Sequence, residues 1–225
     1  MMFDPLYLIL VAPALLLALW AQARVKTAYA HASRVPVRSR MSGAEAARAL
    51  LDSRGLRDVR IEISHGMLSD HYDPRHKVLR LSPEVYGGRS AASVGIAAHE
   101  AGHAIQDATG YAPLVIRNGL VPMAMFGGNF AFLLFFVGFI FQLGFLVNLA
   151  IALFGAVVVF QLVNLPVEFN ASKRAKEQLA TAGIVAAGEE QQEVSRVLNA
   201  AAWTYVAATL MAALQLIYFI LRARE

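Results

Sequence analysis

The stretch that decides the fold is Val121–Val163, which reads VPMAMFGGNFAFLLFFVGFIFQLGFLVNLAIALFGAVVVFQLV. It lies within a longer run, Asn118–Val167, that contains no aspartate, glutamate, lysine, arginine or histidine. As one straight helix the apolar stretch would be about 65 Å long, whereas the hydrocarbon core of a bilayer is about 30 Å thick. We therefore predict two membrane crossings with a turn near Phe141–Phe145, where Gln142 and Gly144 interrupt the apolar pattern.

Two more apolar segments lie towards the ends of the chain, Pro5–Ala23 and Ala201–Leu221. Basic residues follow the first segment, the reverse of the charge order in a signal peptide. We interpret it as an uncleaved anchor with the N-terminus outside and the next segment in the cytoplasm. The basic residues are Arg24, Lys26, Arg34, Arg38 and Arg40. A fourth crossing by the last segment would leave the terminal RARE outside, against the positive-inside rule, so a surface position is its alternative.

The composition also indicates a membrane protein. Of 225 residues, 57% are hydrophobic and 16% are charged, against about 45–50% and about 25% in soluble domains. The absence of cysteine excludes disulfides, thiolate zinc sites and cysteine nucleophiles. The net charge of +4 does not predict a nucleic-acid partner, because the basic residues lie beside apolar segments. The expected partner is the lipid bilayer.

The stretch Ala97–Gln106 reads AAHEAGHAIQ and contains the pattern His-Glu-x-x-His, which indicates a catalytic metal site. His99 and His103 are four residues apart, so on a helix their imidazoles lie on the same face. That spacing lets both rings bind one zinc ion. Glu100 lies beside this face, where it can take a proton from a zinc-bound water.

A catalytic zinc needs a third protein ligand. The extended His-Glu-x-x-His-x-x-Gly-x-x-His pattern is not met, because Gln106 and Thr109 occupy its last two fixed positions. Glu168 is the candidate, since it follows the apolar hairpin and two crossings return the chain to the side of His103. Its alternative is an exposed interfacial glutamate or an ion pair with Arg174.

Three sequences in this order, LSDHYDPRHKVLRLS, AAHEAGHAIQ and LPVEFNASKRA, resemble the YugP-type neutral zinc metallopeptidases of bacterial membranes. These are relatives, in broad plan, of the HtpX-like membrane proteases. The resemblance extends from about Pro5 to Leu221 and implies a gluzincin-like site. It implies that His99, His103 and Glu168 are metal ligands and that Glu100 is the general base. The chain departs from the pattern at Ser172, where HtpX-like relatives carry aspartate, and at Asn170, where many YugP-type members do.

The polar regions, residues 24–117 and 164–200, are predicted to be short helices and strands. In chain order we expect a helix from the capping box Ser42–Glu45 to Gly55, strands over Asp58–Ser64 and His76–Ser82, a helix from Ser90–Ser93 to Gly110, a helix from Pro166 to Gly183, and a helix after Gly188. The sequence thus predicts a mainly α membrane protein with about four transmembrane helices and a small α+β zincin-like catalytic domain. We divide it into an anchor (1–23), a catalytic part (24–117), a transmembrane hairpin (118–165), helices with the third ligand (166–200), and a C-terminal crossing with its tail (201–225).

Peptide hydrolysis also needs a donor for the developing oxyanion. Arg174 and His71 are the preferred candidates: Arg174 lies nearly two turns beyond Glu168, and His71 belongs to the motif LSDHYDP. The other candidates are Tyr72, His76, Tyr86 and Tyr111. The strand His76–Ser82 is predicted to offer an exposed edge to extended substrate or, alternatively, to lie inside a hairpin.

The predicted function is an integral membrane zinc endopeptidase of the bacterial inner (plasma) membrane, with its active site on the cytoplasmic face. It would hydrolyse membrane-associated or unfolded polypeptides through a zinc-bound water activated by Glu100. One alternative is an intramembrane site-2-type protease, which requires the motif inside an apolar crossing and an aspartate ligand in another. The other is a non-catalytic scaffold with a structural metal site, although such a site has no need of Glu100.

Overall fold

A computed structural model describes residues 4–64 and 69–224 of the chain. Within these ranges the elements are α1 (Pro5–Ala32), α2 (Gly43–Ser53), β1 (Arg60–Ile63), β2 (His71–Asp73), β3 (Val78–Leu81), α3 (Pro83–Gly87), α4 (Ala91–Ala108), α5 (Ala112–Ile140), α6 (Gly144–Thr181) and α7 (Glu189–Arg222). Helices α1, α5, α6 and α7 are long and apolar enough to cross a membrane. The chain is therefore a mainly α membrane protein with a small sheet, as the sequence predicts.

One compact unit contains the chain up to Ala21, Ala112–Val167 and the chain from Trp203 onward. Its apolar helices pack through stacked aromatic rings, with the centroids of Phe135 and Phe219 4.1 Å apart. Small residues let their backbones approach closely. A β-carbon at Gly127 would lie only 2.4 Å from the carbonyl oxygen of Leu153.

The turn between α5 and α6 falls at Phe141–Leu143, as predicted. Gln142 there adopts a left-handed backbone with φ of 54°, a conformation that is uncommon outside glycine.

A polar cluster joins the first and the last segment of this unit. The hydroxyl of Tyr218 donates to Asp4 Oδ2 at 2.9 Å, and Arg222 Nε lies 3.2 Å from the same oxygen. The start of α1 and the end of α7 therefore lie together. This contact supports a fourth crossing by α7 over a surface position.

The second unit comprises Gln22–Tyr111 and Glu168–Ala202. It contains the sheet, of order β1-β3-β2, in which β1 and β3 are parallel and β2 and β3 are antiparallel. Its core includes aliphatic side chains of α2, α4 and β3, among them Leu50, Leu51, Leu79, Leu81 and Val94.

Helix α2 begins at the predicted capping box. Ser42 Oγ accepts from the Glu45 amide at 3.2 Å, and Glu45 Oε2 accepts from the Ser42 amide at 2.7 Å. The helix gives way to a turn before Gly55, whose φ of 75° suits glycine.

The sheet differs from the prediction in one respect that matters for function. Strand β3 lies between β1 and β2 and is paired on both sides, so the expectation that His76–Ser82 offers an exposed edge to substrate is wrong. The strand beside it, β2, was not predicted, because three residues are too few to establish an alternating pattern.

Helix α6 also differs from the prediction, which began a helix near Pro166. Pro166 lies inside α6, which starts at Gly144. Proline removes one backbone hydrogen bond, but a long helix through a membrane tolerates this loss where other groups satisfy the freed carbonyl. One continuous helix therefore leads from the second half of the apolar hairpin to Glu168.

Candidate metal centre

Helix α4 presents His99, Glu100 and His103. Its first turn is capped by Ser90, whose Oγ accepts from the Ser93 amide at 3.2 Å. The helix approaches α6 closely at Gly102: a β-carbon there would lie 3.0 Å from the carbonyl oxygen of Ala171. The glycine thus allows the two helices to come near each other beside the two histidines.

The structure brings together the three residues proposed as ligands. Glu168 Oε2 lies 3.2 Å from His99 Nε2 and 3.5 Å from His103 Nε2. The three side chains are 7%, 12% and 10% exposed, respectively. Their candidate ligand atoms all lie within 4.8 Å of one another. Two imidazole nitrogens and one carboxylate oxygen form a donor set that fits a catalytic zinc site.

The remaining ring nitrogens of both histidines already have partners. His99 Nδ1 lies 3.1 Å from Ser172 Oγ, and His103 Nδ1 lies 3.0 Å from Gln106 Oε1. Such outer contacts orient metal-binding histidines. Both rings are consequently held with Nε2 towards Glu168.

The electrostatics of the cluster favour a positive charge between these groups. Burial by itself lowers the pKa of His103, but its hydrogen bond to Glu168 and the charges of Glu100 and Glu168 outweigh burial and raise this pKa above its ordinary value. A buried carboxylate needs a cationic partner. A proton on the imidazole or a divalent cation can meet that need.

Glu100 has a different partner from the three candidate ligands. Its Oε2 accepts from the backbone amide of Tyr72 at 3.1 Å, and the hydroxyl of Tyr72 donates to Asp107 Oδ2 at 2.9 Å. Burial and then the contact with Asp107 raise the pKa of Tyr72, so its hydroxyl stays protonated at neutral pH. Strand β2 is thus tied to α4 at two points, about two turns apart.

His71 and Arg174 make other contacts. His71 is exposed, with Nδ1 2.7 Å from the carbonyl oxygen of Ser69 and Nε2 3.4 Å from Arg80. Arg174 Nε donates to Asn170 Oδ1 at 2.7 Å, and its guanidinium lies 5.9 Å from the ring centroid of Tyr111. Their catalytic roles stay predictions.

Sequence reasoning missed the outer residues of the cluster. Gln106 was noted only as a departure from a longer zinc motif, yet it lies three residues after His103 and is fully buried. That spacing, which puts both side chains on one helix face, is the signal that could have found it. Ser172, noted only as a departure from the HtpX-like pattern, contacts His99 through its hydroxyl.

Comparison with known proteins shows the family of the chain. A family model described as "Putative neutral zinc metallopeptidase" matches residues 7–224. The chain belongs to this family. It is similar to "Putative membrane protease YugP" of Bacillus subtilis (strain 168), with 45% identity over 216 residues that cover 96% of each chain. No solved structure matches the chain.

Proposed function

We propose that this member of the zinc metallopeptidase family is an integral membrane endopeptidase that cuts membrane-associated or unfolded polypeptides. The observation that carries the proposal is the convergence of His99, His103 and Glu168, whose candidate ligand atoms lie within 4.8 Å of one another. Glu100 adjoins this cluster on α4, and the described part of the chain has four helices apolar enough to cross a membrane. We place the protein in the bacterial inner membrane with the site on the cytoplasmic face, because the basic residues after α1 follow the positive-inside rule.

In this proposal His99, His103 and Glu168 hold the zinc ion. When bound, zinc supplies Lewis-acid polarisation of the scissile carbonyl and makes a water molecule more acidic. Glu100 accepts the proton of the attacking water and passes it to the leaving amine. The backbone amide of Tyr72 holds one oxygen of Glu100 at 3.1 Å and so orients the carboxylate for both transfers.

Membrane-associated or unfolded polypeptide is the proposed substrate class, in keeping with a family described as zinc metallopeptidases and a relative named as a membrane protease. His71 and Arg174 stay candidates for contact with the developing oxyanion. The division into an anchor, catalytic segments, a transmembrane hairpin and a C-terminal crossing is part of the same proposal. A site-2-type intramembrane protease is disfavoured, since α4 is not among the four apolar helices.

Purified wild type, Glu100→Gln and Glu168→Ala in detergent would test the proposal. Zinc per chain is measured by elemental analysis, and hydrolysis is followed with a fluorescently quenched unfolded protein. We expect Glu100→Gln to keep zinc and lose hydrolysis, and Glu168→Ala to lose both. Glu177→Gln, which changes an exposed carboxylate on the same helix, is the matched control.

Two results would contradict it. Full hydrolysis by Glu100→Gln would exclude Glu100 as the general base. A wild type that binds zinc but does not hydrolyse the substrate would favour the scaffold alternative.

A further inference from the structure

The further inference concerns Tyr72 and Asp107 and rests on the proposed function. We propose that the hydrogen bond between the Tyr72 hydroxyl and the Asp107 carboxylate positions Glu100, the proposed general base. This hydrogen bond holds strand β2 against helix α4, so that the backbone amide of Tyr72 keeps one carboxylate oxygen of Glu100 in place. Tyr72 and Asp107 are positioning residues, because they act on the reaction through Glu100.

Tyr72 makes both of the hydrogen bonds that join β2 to α4 in the described part of the chain. Its amide donates to Glu100 Oε2 at 3.1 Å, and its hydroxyl donates to Asp107 Oδ2 at 2.9 Å. The two acceptors lie about two turns apart on α4 and share one face of the helix. One tyrosine therefore connects the strand to two points on the same helix face.

The other hydrogen bonds of this segment hold it to β3 and not to α4. Asp70 Oδ1, just before the strand, accepts from the Ser82 amide at 2.8 Å. Asp73 Oδ2, at the end of the strand, accepts from Arg80 at 3.1 Å. These contacts fix the strand within the sheet, on the side away from the helix. The hydroxyl of Tyr72 is the side-chain donor that fixes it relative to α4.

The position of Asp107 fits this role better than a role in its own helix. Asp107 lies in the last turn of α4, where the negative end of the helix dipole disfavours a carboxylate. Within the described residues, its carboxylate has the Tyr72 hydroxyl as its one hydrogen-bond partner. A hydrogen bond to an ionised acceptor is stronger than one between neutral groups. Burial and then the contact with Asp107 raise the pKa of Tyr72, so the hydroxyl stays a donor at neutral pH.

The consequence for the proposed reaction concerns the direction of the Glu100 carboxylate. A general base must lie within hydrogen-bond reach of the proton that it takes. In the described part of the chain the Tyr72 amide is the one hydrogen-bond donor to this carboxylate, so the other oxygen is left for the proton. If β2 moved away from α4, the carboxylate could turn, while the candidate metal ligands on α4 and α6 would stay where they are. Loss of the Tyr72–Asp107 hydrogen bond should therefore lower kcat and leave zinc affinity unchanged.

Direct contact between the Tyr72 hydroxyl and the developing oxyanion predicts a different result at Asp107. In that case Asp107 competes with the substrate for the hydroxyl, so replacing Asp107 would leave kcat unchanged or raise it. In the positioning role, loss of Asp107 costs as much as loss of the hydroxyl. The two roles therefore differ in the sign of the effect at Asp107.

The test measures kcat on the fluorescently quenched unfolded protein, and zinc affinity by competition with a chromogenic chelator in detergent. We expect Tyr72→Phe and Asp107→Leu each to lower kcat about tenfold, a part of the hundredfold or more that a general base contributes. Both should bind zinc as wild type does. Asp107→Asn removes the charge but keeps an oxygen that accepts from the hydroxyl, so it should retain most of the activity.

Tyr29→Phe is the matched control. Tyr29 is a partly buried tyrosine that packs against the core of the same unit, and its hydroxyl makes no hydrogen bond among the described residues. The variant should keep the kcat and the zinc affinity of wild type. A tenfold loss of kcat in this variant as well would show that any lost tyrosine hydroxyl has the same effect and would overturn the proposal.

The double variant Tyr72→Phe with Asp107→Leu should be no worse than either single variant, because both changes break the same hydrogen bond. Additive losses, or wild-type kcat in either single variant, would overturn the proposal. If Tyr72→Phe does not fold, the Asp107 pair decides, since equal losses in Asp107→Asn and Asp107→Leu would indicate a charge effect and refute the positioning role. A loss of zinc affinity as large as the loss of kcat would refute it too. A wild type without hydrolysis would overturn the proposed function together with this inference, whereas fully active variants would overturn only the inference.

Discussion

The carboxylate of Glu168 is 7% exposed and lies between the Nε2 atoms of two imidazoles. At the scale of single residues, the sequence motifs identified the three side chains that this arrangement brings together. Histidines four apart share one helix face, and the two crossings return the chain to their side before Glu168, so both signals can be seen in the sequence. The outer contacts to Ser172 and Gln106 depend on side-chain directions, which spacing alone does not give.

Zinc binding should weaken as the pH falls, because both histidines must be neutral to bind the metal. The pKa of His103 is raised, with burial opposing and Glu168 and Glu100 favouring the protonated form. Proton competition should therefore begin above the ordinary histidine value of about 6.5. Chelator competition between pH 5 and pH 8.5 measures this, and constant affinity across the range would contradict it.

The folding stability of the metal-free protein should depend on pH in the opposite direction and decrease as the pH rises, because of His103. A pKa raised in the folded state adds stability that is fully present below the unfolded value of about 6.5. This stability is lost as the pH rises through the folded value. Thermal unfolding in the presence of a chelator should detect the loss in wild type and not in His103→Gln.

At the scale of elements, the helices were predicted better than the sheet. The capping box of α2 and the histidine helix α4 have strong local signals, and both form as expected. Strand order depends on contacts between distant residues, so the sequence could not show that β3 is central. The continuity of α6 through Pro166 was missed because proline is favoured in the first turn of a helix, so the sequence indicated a new helix beginning there.

The close approach of α4 and α6 makes Gly102 sensitive to substitution. A β-carbon there would already lie 3.0 Å from the carbonyl oxygen of Ala171, so the branched side chain in Gly102→Val must separate the helices. We expect weaker zinc binding and a lower melting temperature. Gly155→Val on α6 is the control, since a β-carbon there would meet no described heavy atom within 4 Å. Equal zinc affinity in both variants would contradict the prediction.

At the scale of the whole molecule, the proposed zinc would join α4 to α6. A ligand present at about a hundred times its dissociation constant stabilises the folded state by about 2.7 kcal/mol. Chelation should therefore lower the melting temperature of wild type by several degrees. The same chelator should have little effect on His99→Ala, and equal shifts in both proteins would argue against a metal bound through His99.

The contact of Asp4 with Tyr218 and Arg222 predicts that both chain ends lie on one side of the membrane. Because the chain contains no cysteine, an introduced cysteine is its one thiol, and labelling carried out in intact cells can be measured on the protein after purification. With a membrane-impermeant maleimide we expect Arg224→Cys to react from outside and Ser53→Cys to react only after the cells are opened. Labelling in the reverse order would invert the proposed orientation.

The position of the apolar hairpin between His103 and Glu168 has a consequence for how the protein is made. A ribosome that has completed α4 has not yet synthesised the third candidate ligand, and it must first deliver α5 and most of α6 to the membrane insertion machinery. If the three residues bind zinc as proposed, no partly made chain in the cytosol carries a complete proteolytic centre. The proposed centre would therefore be completed only after the apolar hairpin has been synthesised.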